Sequence, residues 1–392
     1  MSRPLLIYLI AGEPSGDMLG GRLMAGLSAR TDGSVRFAGI GGAHMRAAGL
    51  DSLFPMAELT VMGITEVLPR IPRILRRVNQ TIDSIGACRP DAIVTIDSWG
   101  FTGRVQKACQ TRYPDIPRIH YVAPMVWAWK PKRAKKLARV LDLLMTLLPF
   151  EPPYFQREGL NTVAVGHPVV ESGAERGDGA AFRARHGIAA EAPVLVLLPG
   201  SRRSETNALL PIFRQVLERL KACHPGLTLV VPTVETVAAA VKDAAGSWPY
   251  RTIVVEDLAE KYDCLAAGTC ALAASGTVAL ELALAGLPSV IAYRLSAVTA
   301  FIARRLFGFR IKWATLVNMV LDRAVMPEFL QEDCRPDSIA AAVRAMLENE
   351  ADRAERRVLM ARAMREMGFG QDSPSDRAAE AVLRFIAERK IA

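Results

Sequence analysis

Two short turns, Gly200-Ser201-Arg202 and Ser275-Gly276-Thr277, stand in the same half of the chain, each behind an apolar run with strand character. Glycine in such a turn lets the backbone come close to a ligand. The free N–H groups at the start of the helix that follows Thr277, with the helix dipole, favour an anion such as pyrophosphate. Glu281 lies four residues beyond Thr277, one turn along the same face, where a carboxylate can accept from a ribose diol. Arg202 can neutralise a leaving phosphate, work that a metal does elsewhere. The plainer alternatives are a helix-capping turn with an acid near the dipole and a surface turn with ordinary arginines. Glu281 is the one charged residue between Leu265 and Tyr293, and a charge so isolated needs a partner.

A third turn, Gly12-Glu13-Pro14-Ser15-Gly16-Asp17, lies near the N-terminus, and Asp97 ends the apolar run Ala92–Ile96 ahead of Ser98-Trp99-Gly100. A carboxylate at a strand end facing a cleft is placed to act as a general base; an Asx turn or cap is the alternative. Glu13 and Asp17 can hold acceptor hydroxyls or cap a helix. His44, after a glycine pair, reads as a structural histidine. No Asp-x-Asp cluster with metal-binding spacing stands at a suitable strand end, and neither a dinucleotide GxGxxG nor a Walker A lysine is present. The expectation is a reaction without metal or cofactor on a nucleotide-activated substrate.

Basic and apolar residues also alternate in blocks. Met62, Ile64, Val67, Leu68, Ile71, Ile74 and Leu75 stand among Arg70, Arg73, Arg76 and Arg77. Trp127 and Trp129 precede Lys130, Lys132, Arg133, Lys135 and Lys136, and a third block runs from Phe301 to Trp313. An apolar face with a basic flank suits an anionic bilayer surface; a core helix with a solvated basic face is the alternative. The formal charge of +9 calls for an anionic partner, while 6% aromatic residues argue against a single-strand stacking surface and hence against nucleic acid. The six cysteines are scattered with no CxxC pair, as for reduced thiols in a cytoplasmic protein. The N-terminus enters a strand too directly for a signal peptide. The run 265–293 is cut by Gly268, Ser275, Gly276, Thr277, Gly286 and Pro288, which predicts buried strand, turn and short helix rather than a membrane span.

The elements that must position these residues alternate. Apolar strands are predicted over 5–11, 35–40, 92–96, 118–122 and 143–147, then over 194–198, 228–231, 252–255, 270–274 and 289–292, with helices over 17–29, 101–110, 209–223 and 278–285. Such alternation implies parallel sheets covered on both faces, and 392 residues suffice for two domains. A Gly- and Pro-rich stretch from Gly166 to Gly179 reads as the linker, and the C-terminal 337–392 reads as helical with a break at 367–374. In doubly wound sheets ligands bind outside the carboxyl ends of the strands, where every turn named above lies.

The assembled pattern resembles the lipid-A-disaccharide synthase family. The residues that carry it are Ala11-Gly12-Glu13-Pro14-Ser15-Gly16-Asp17, Gly39-Ile40-Gly41-Gly42, Met62-Gly63-Ile64-Thr65-Glu66-Val67, Asp97-Ser98-Trp99-Gly100-Phe101, Tyr121 through Trp129, Val165-Gly166-His167-Pro168, Leu198-Pro199-Gly200-Ser201-Arg202, Ser275-Gly276-Thr277 and Pro327-Glu328-Phe329-Leu330-Gln331. Ala123, Met125 and Pro14 depart from the family's pattern, which bears on acyl or acceptor selectivity more than on the reaction.

The resemblance implies an α/β glycosyltransferase B fold: two doubly wound Rossmann-like domains facing across a cleft, an acceptor domain over 1–166, a UDP-sugar domain over 167–366, and a helix over 367–392 crossing back. It implies an inverting transfer of 2,3-diacylglucosamine from UDP to 2,3-diacylglucosamine 1-phosphate (lipid X), giving a β-1,6-linked disaccharide. Asp97 would be the base. Gly200, Ser201, Arg202, Ser275, Gly276, Thr277 and Glu281 would hold UDP, and Glu13, Ser15, Gly16, Asp17 and Asn318 the acceptor. Met62, Ile64, Val67, Leu68, Ile71, Arg73 and Leu75 would touch acyl chains or the inner-membrane surface, making the protein cytoplasmic and peripherally bound. The family is associated with a C-terminal exchange between subunits, so a homodimer is one state left open. A UDP-sugar epimerase on the same fold, or a non-enzymatic basic membrane-surface protein, is the alternative.

Overall fold

The computed structural model describes residues 3–59, 71–127, 131–257, 259–294 and 312–391. Met62, Ile64, Val67, Leu68 and Trp129 lie outside the described residues, as does the Phe301 block except Lys312 and Trp313. The chain forms two compact units, residues 1–168 with 370–392, and residues 169–369.

The first unit holds a six-stranded parallel sheet of β1 (Leu5–Ala11), β2 (Val35–Ile40), β3 (Ala92–Ile96), β4 (Arg118–Tyr121), β5 (Leu143–Thr146) and β6 (Thr162–Ala164), in the order β2-β1-β3-β4-β5-β6. From Ile7 to Ala11 and through all of β3 the strands are buried, because helices cover both faces; this is why they read as continuous apolar runs rather than alternating ones. Helices α1 (Pro14–Arg30) and α2 (Ala43–Ala47) follow β1 and β2. Helix α3 (Ile71–Cys88) leads into β3, and α4 (Trp99–Arg112) leaves it. Val78, Ile82 and Ile85 of α3 share one core cluster with Phe101, Val105 and Cys109 of α4. The C-terminal helix Pro374–Ile391 belongs to this unit, burying Ala378, Ala379, Val382 and Ile386 in the cluster that includes Leu23 and Leu27 of α1. Arg377 donates to the Ala164 carbonyl at 2.8 Å.

The second unit holds β7 (Val194–Leu198), β8 (Thr228–Pro232), β9 (Arg251–Val255), β10 (Cys270–Ala274), β11 (Ser289–Tyr293) and β12 (Glu328–Leu330), all parallel, in the order β12-β11-β10-β7-β8-β9. Helix α5 (Arg203–Leu220) follows β7, α6 (Lys261–Ala266) precedes β10, and α7 (Val278–Leu284) joins β10 to β11. The apolar run 265–293 therefore divides into helix end, strand, turn, helix and strand, as its glycines and proline require. No described helix is long and apolar enough to cross a membrane.

Strand order places the chemistry. In the first sheet the order reverses between β1 and β3, and in the second between β7 and β10. Outside the carboxyl ends of strands flanking such a reversal, the connecting loops diverge and leave a crevice. The turns after β1 and β3 carry Glu13 and Asp97; those after β7 and β10 carry Arg202 and Gly276.

Candidate active site

In the second unit the β7 turn is pinned from both sides. Thr206 Oγ1 donates to the Gly200 carbonyl at 3.3 Å, and Thr236 Oγ1 to the Ser201 carbonyl at 3.1 Å. Gly200 has φ of +110°, and a Cβ there would lie 2.8 Å from Glu205 Oε2, so both conformation and space demand glycine. Arg202 stands just ahead of α5 in extended conformation, exposed, with one N–H on Glu205 at 3.2 Å. Across the switch point, Ser275, Gly276 and Thr277 lead into α7. Gly276 has φ of +156° with no heavy atom within 4 Å of where a Cβ would sit; conformation, not crowding within the protein, selects glycine there.

Both turns line one cavity of about 470 Å³, a size that suits a nucleotide-bearing ligand. Glu281 also lines it, and its partner is Lys261, whose Nζ donates to both carboxylate oxygens at 2.7 and 2.8 Å; Tyr262 OH adds a third bond at 3.2 Å. Lys261, Asp257 and Thr233 complete the wall and went unrecognised in the sequence. The Thr233 hydroxyl is buried with no hydrogen-bond partner among the described residues, and such groups ordinarily find one.

In the first unit the loops after β1 and β3 touch. Ser98 Oγ donates to Glu13 Oε1 at 3.2 Å, and a Cβ on Gly12 would fall 2.8 Å from that same Oγ. Asp97 and Ser98 are consecutive non-glycine residues in the left-handed region, with φ of +51° and +47°. Such backbone costs about 1–3 kcal/mol per residue and persists only where neighbours over-determine it. Here the Asp97 N–H donates to the Tyr121 carbonyl at 2.9 Å, while Thr102 Oγ1 donates to the Asp97 and Ser98 carbonyls at 2.9 and 3.1 Å. The Asp97 carboxylate accepts from the Ser98 N–H at 2.7 Å. Burial pushes its pKa above the ordinary value; the Ser98 bond opposes this and the Glu13 charge adds to it. A half-buried carboxylate with a raised pKa is a better proton acceptor than a solvated one.

Beneath this turn lies a network the sequence did not reveal. The edge of Trp99 meets the His120 ring at 4.9 Å between centroids, and His120 Nδ1 lies 2.8 Å from Thr95 Oγ1. Gln106 donates to Thr95 Oγ1 and to the Ile119 carbonyl at 2.9 and 3.0 Å. Burial drives the His120 pKa down to about 3 against two opposing backbone hydrogen bonds, so the ring is neutral and packs as part of the floor.

Two expected acceptor residues have other tasks. Asp17 is 3% exposed and accepts from the backbone N–H groups of Gly42, His44 and Met45 at 2.7, 2.9 and 3.0 Å. It caps α2 rather than α1, which begins after Glu13 with no side-chain cap. Asn318, in the short helix Leu316–Leu321 of the second unit, is fully buried. Its amide donates to the Met326 carbonyl and Glu328 Oε1, both at 2.8 Å, and accepts from the Val325 and Met326 N–H groups, both at 2.9 Å. Nothing of it is left for a ligand. Gly16 is buried in α1, whereas Ser15 and Glu13 are exposed. Of the expected membrane-facing residues within the described range, Leu75 is 44% exposed, Arg73 is exposed, and Ile71 opens α3.

Residues 7–382 match the family model for lipid-A-disaccharide synthetase. The lipid-A-disaccharide synthase of Paramagnetospirillum magneticum is 60% identical over 386 residues, covering 98% of this chain and 99% of that protein. That of Rhodospirillum centenum is 53% identical over 390 residues, covering 100% and 97%. The chain belongs to the lipid-A-disaccharide synthase family. Family membership makes it a glycosyltransferase enzyme rather than an epimerase or a non-enzymatic surface protein. Among solved structures, MurG of Acinetobacter baumannii superposes with a TM-score of 0.60 at 15% identity, covering 98% of this chain and 100% of that one. A UDP-N-acetylglucosamine 2-epimerase from Listeria monocytogenes, described as putative in its own name, gives 0.64 at 13%, covering 99% and 97%. These likenesses establish the glycosyltransferase B fold, which synthases and epimerases share. The turns after β1 and β3, and those after β7 and β10, sit where the strand order of each sheet reverses.

Proposed function

We propose that this chain transfers 2,3-diacylglucosamine from UDP to the 6-hydroxyl of 2,3-diacylglucosamine 1-phosphate, giving a β-1,6-linked disaccharide 1-phosphate and UDP. The observation that carries this reading is Asp97: a half-buried carboxylate with raised pKa, held in left-handed backbone at the switch point of one sheet. The second sheet's switch point opens on the cavity between Gly200-Ser201-Arg202 and Ser275-Gly276-Thr277.

Asp97 takes the proton from the acceptor hydroxyl, and the oxygen attacks the anomeric carbon from the face opposite UDP, which inverts the configuration. Glu13 and Ser15, exposed at the start of α1, meet acceptor hydroxyls. Arg202 and the backbone at Gly276 receive the charge that develops on the diphosphate, and Glu281, oriented by Lys261, accepts from the ribose. Arg202 fills the charge-neutralising place of a metal, so the reaction proceeds without one. The apolar side chains around α3, including exposed Leu75, reach acyl chains at a membrane surface and keep the protein peripherally bound there.

A radiolabel assay with both lipid substrates, with and without EDTA, tests the reading. The expected result is a disaccharide whose formation EDTA leaves unchanged. Loss of product on EDTA treatment would overturn the role of Arg202; absence of product in protein that binds UDP would overturn the substrate assignment.

A further inference from the structure

The first turns of α3 carry Arg73, Arg76 and Arg77, a spacing that puts all three on one side of the helix. With Glu58 they line a concavity of about 280 Å³. Arg77 is fixed in place. Its guanidinium forks onto Glu58 at 2.9 and 2.6 Å, donates to Gln80 at 2.6 Å, and lies 4.5 Å over the Phe54 ring. Arg73 and Arg76, both exposed, line the same concavity, and the Arg77 hydrogen bond and charge, then the Arg73 charge, hold the Glu58 carboxyl below its ordinary pKa. Three guanidinium charges against one carboxylate leave the concavity with an excess of positive charge.

Its place in the fold matters as much as its charge. Helices α3 and α4 flank β3 in sequence and pack in one cluster on the same side of the sheet. Both run against the parallel strands, so both begin at the carboxyl edge of the sheet, the edge that carries Asp97. Leu75, 44% exposed, stands between Arg73 and Arg76 in the chain. A positively charged hollow with an exposed apolar neighbour, on the unit that bears the proposed base, fits an amphiphile with a phosphate head.

We propose that Arg73, Arg76 and Arg77 bind the phosphomonoester of the lipid acceptor. The inference rests on the acceptor assigned above and deepens it by naming what reads the 1-phosphate. A phosphomonoester carries roughly −1.5 to −2 charge near pH 7, which matches the excess. Its three terminal oxygens can each meet a planar guanidinium fork, geometry that lysine does not offer. The diphosphate of the donor is not a competitor, because the second unit's cavity supplies that site. A phospholipid headgroup is a diester with one charge and two free oxygens, and three guanidinium groups exceed what it needs.

The test uses the full chain and the double variant Arg73→Gln/Arg76→Gln, which leaves the Arg77–Glu58 fork intact. With the 1-phosphorylated acceptor, its KM should rise about tenfold or more, while the KM for the UDP-sugar and the Tm stay at wild-type values. With an acceptor lacking the 1-phosphate, variant and wild type should be equal. Calorimetric titration with dodecyl phosphate against dodecyl maltoside supplies a readout that needs no turnover: the wild type should prefer the phosphate, and the variant should not. Equal losses on both acceptors would overturn the proposal. So would an unchanged acceptor KM with flotation on phosphatidylglycerol vesicles lost, which would assign the hollow to a membrane headgroup. If the wild type makes no disaccharide, the acceptor assignment fails; the dodecyl phosphate titration then stands alone, and a preference lost in the variant still supports a phosphomonoester site.

Discussion

Lys261 holds both carboxylate oxygens of Glu281, at 2.7 and 2.8 Å, within the cavity wall. The two come from α6 and α7, helices on either side of β10, so the ion pair ties the cavity together as well as orienting one acceptor. Side-chain exposures of 26% and 17% make it neither a surface pair nor a dry one. Removing one partner of such a pair leaves the other charge partly desolvated.

Lys261→Met should therefore weaken UDP binding by about tenfold, or ~1.4 kcal/mol, through loss of Glu281 orientation rather than direct contact. The measurement is calorimetric titration with UDP. A Lys261→Met/Glu281→Gln double variant should bind no worse than either single variant, because the two act as one unit. Additive losses would show that the residues contribute independently.

Asp97→Asn should lower kcat by about 10²–10⁴ and leave UDP affinity unchanged, since Asp97 and the cavity between the β7 and β10 turns belong to different units. Asparagine tolerates left-handed backbone and keeps the acceptor oxygen for the Ser98 N–H, so the fold survives. The pH dependence has a definite sign. Burial raises the carboxyl above its ordinary 3.8, so the acid limb of kcat/KM should lie above that value in wild type and vanish in the variant. Because the folded state holds this proton more tightly than the unfolded chain, the ionised carboxylate costs stability above its folded pKa. That cost fades as pH falls from the folded pKa to the unfolded value and is gone below it. Asp97→Asn should therefore raise Tm at pH 7 to 8, with the difference closing as pH approaches 3. An equal or lower Tm at pH 8 would show that the carboxylate is not strained by burial.

Gly12→Ala addresses the contact between the two loops of the first unit. Its Cβ would meet Ser98 Oγ at 2.8 Å and Ser98 Cβ at 2.9 Å, and serine has no flexible end to move aside. The displaced Ser98 carries the neighbouring Asp97 carboxylate with it through the 2.7 Å bond. Turnover should fall about tenfold to a hundredfold, as geometric misplacement does, with UDP titration unaltered. Unchanged kcat would mean that the turn tolerates the shift and that the backbone conformation is not what positions the base.

Legibility in the sequence followed burial and locality. The strands β1, β3, β7 and β10 are central, covered on both faces, and so stand out as apolar runs between turn residues. β6 and β12 have three residues each, at sheet edges, too short for any pattern; both were missed. The turns behind central strands were legible because glycine, serine and an acid concentrate there. Their partners were not: Lys261 lies 20 residues from Glu281, and Gly42 lies 25 from Asp17. A lone carboxylate reads the same whether it caps a helix or holds a sugar, and only the fold shows which N–H groups face it. The backbone partners of Asp17 and Asn318 went unseen for this reason.

Those two hydrogen-bond networks make a final prediction about stability. Asp17→Ala would leave the three N–H groups at the start of α2 without their acceptor in a buried place, and a lost cap costs about 1–2 kcal/mol. Asn318→Ala would orphan the Val325 and Met326 N–H groups together with one bond to Glu328, each unsatisfied buried group costing about 1–3 kcal/mol. Both variants should unfold at lower denaturant concentration, Asn318→Ala by more. The acceptor KM of the Asn318→Ala protein that remains folded should match wild type, since its amide has no hydrogen-bonding position left to offer a sugar. A raised acceptor KM in that variant, with the chemical midpoint unchanged, would show that Asn318 meets the acceptor.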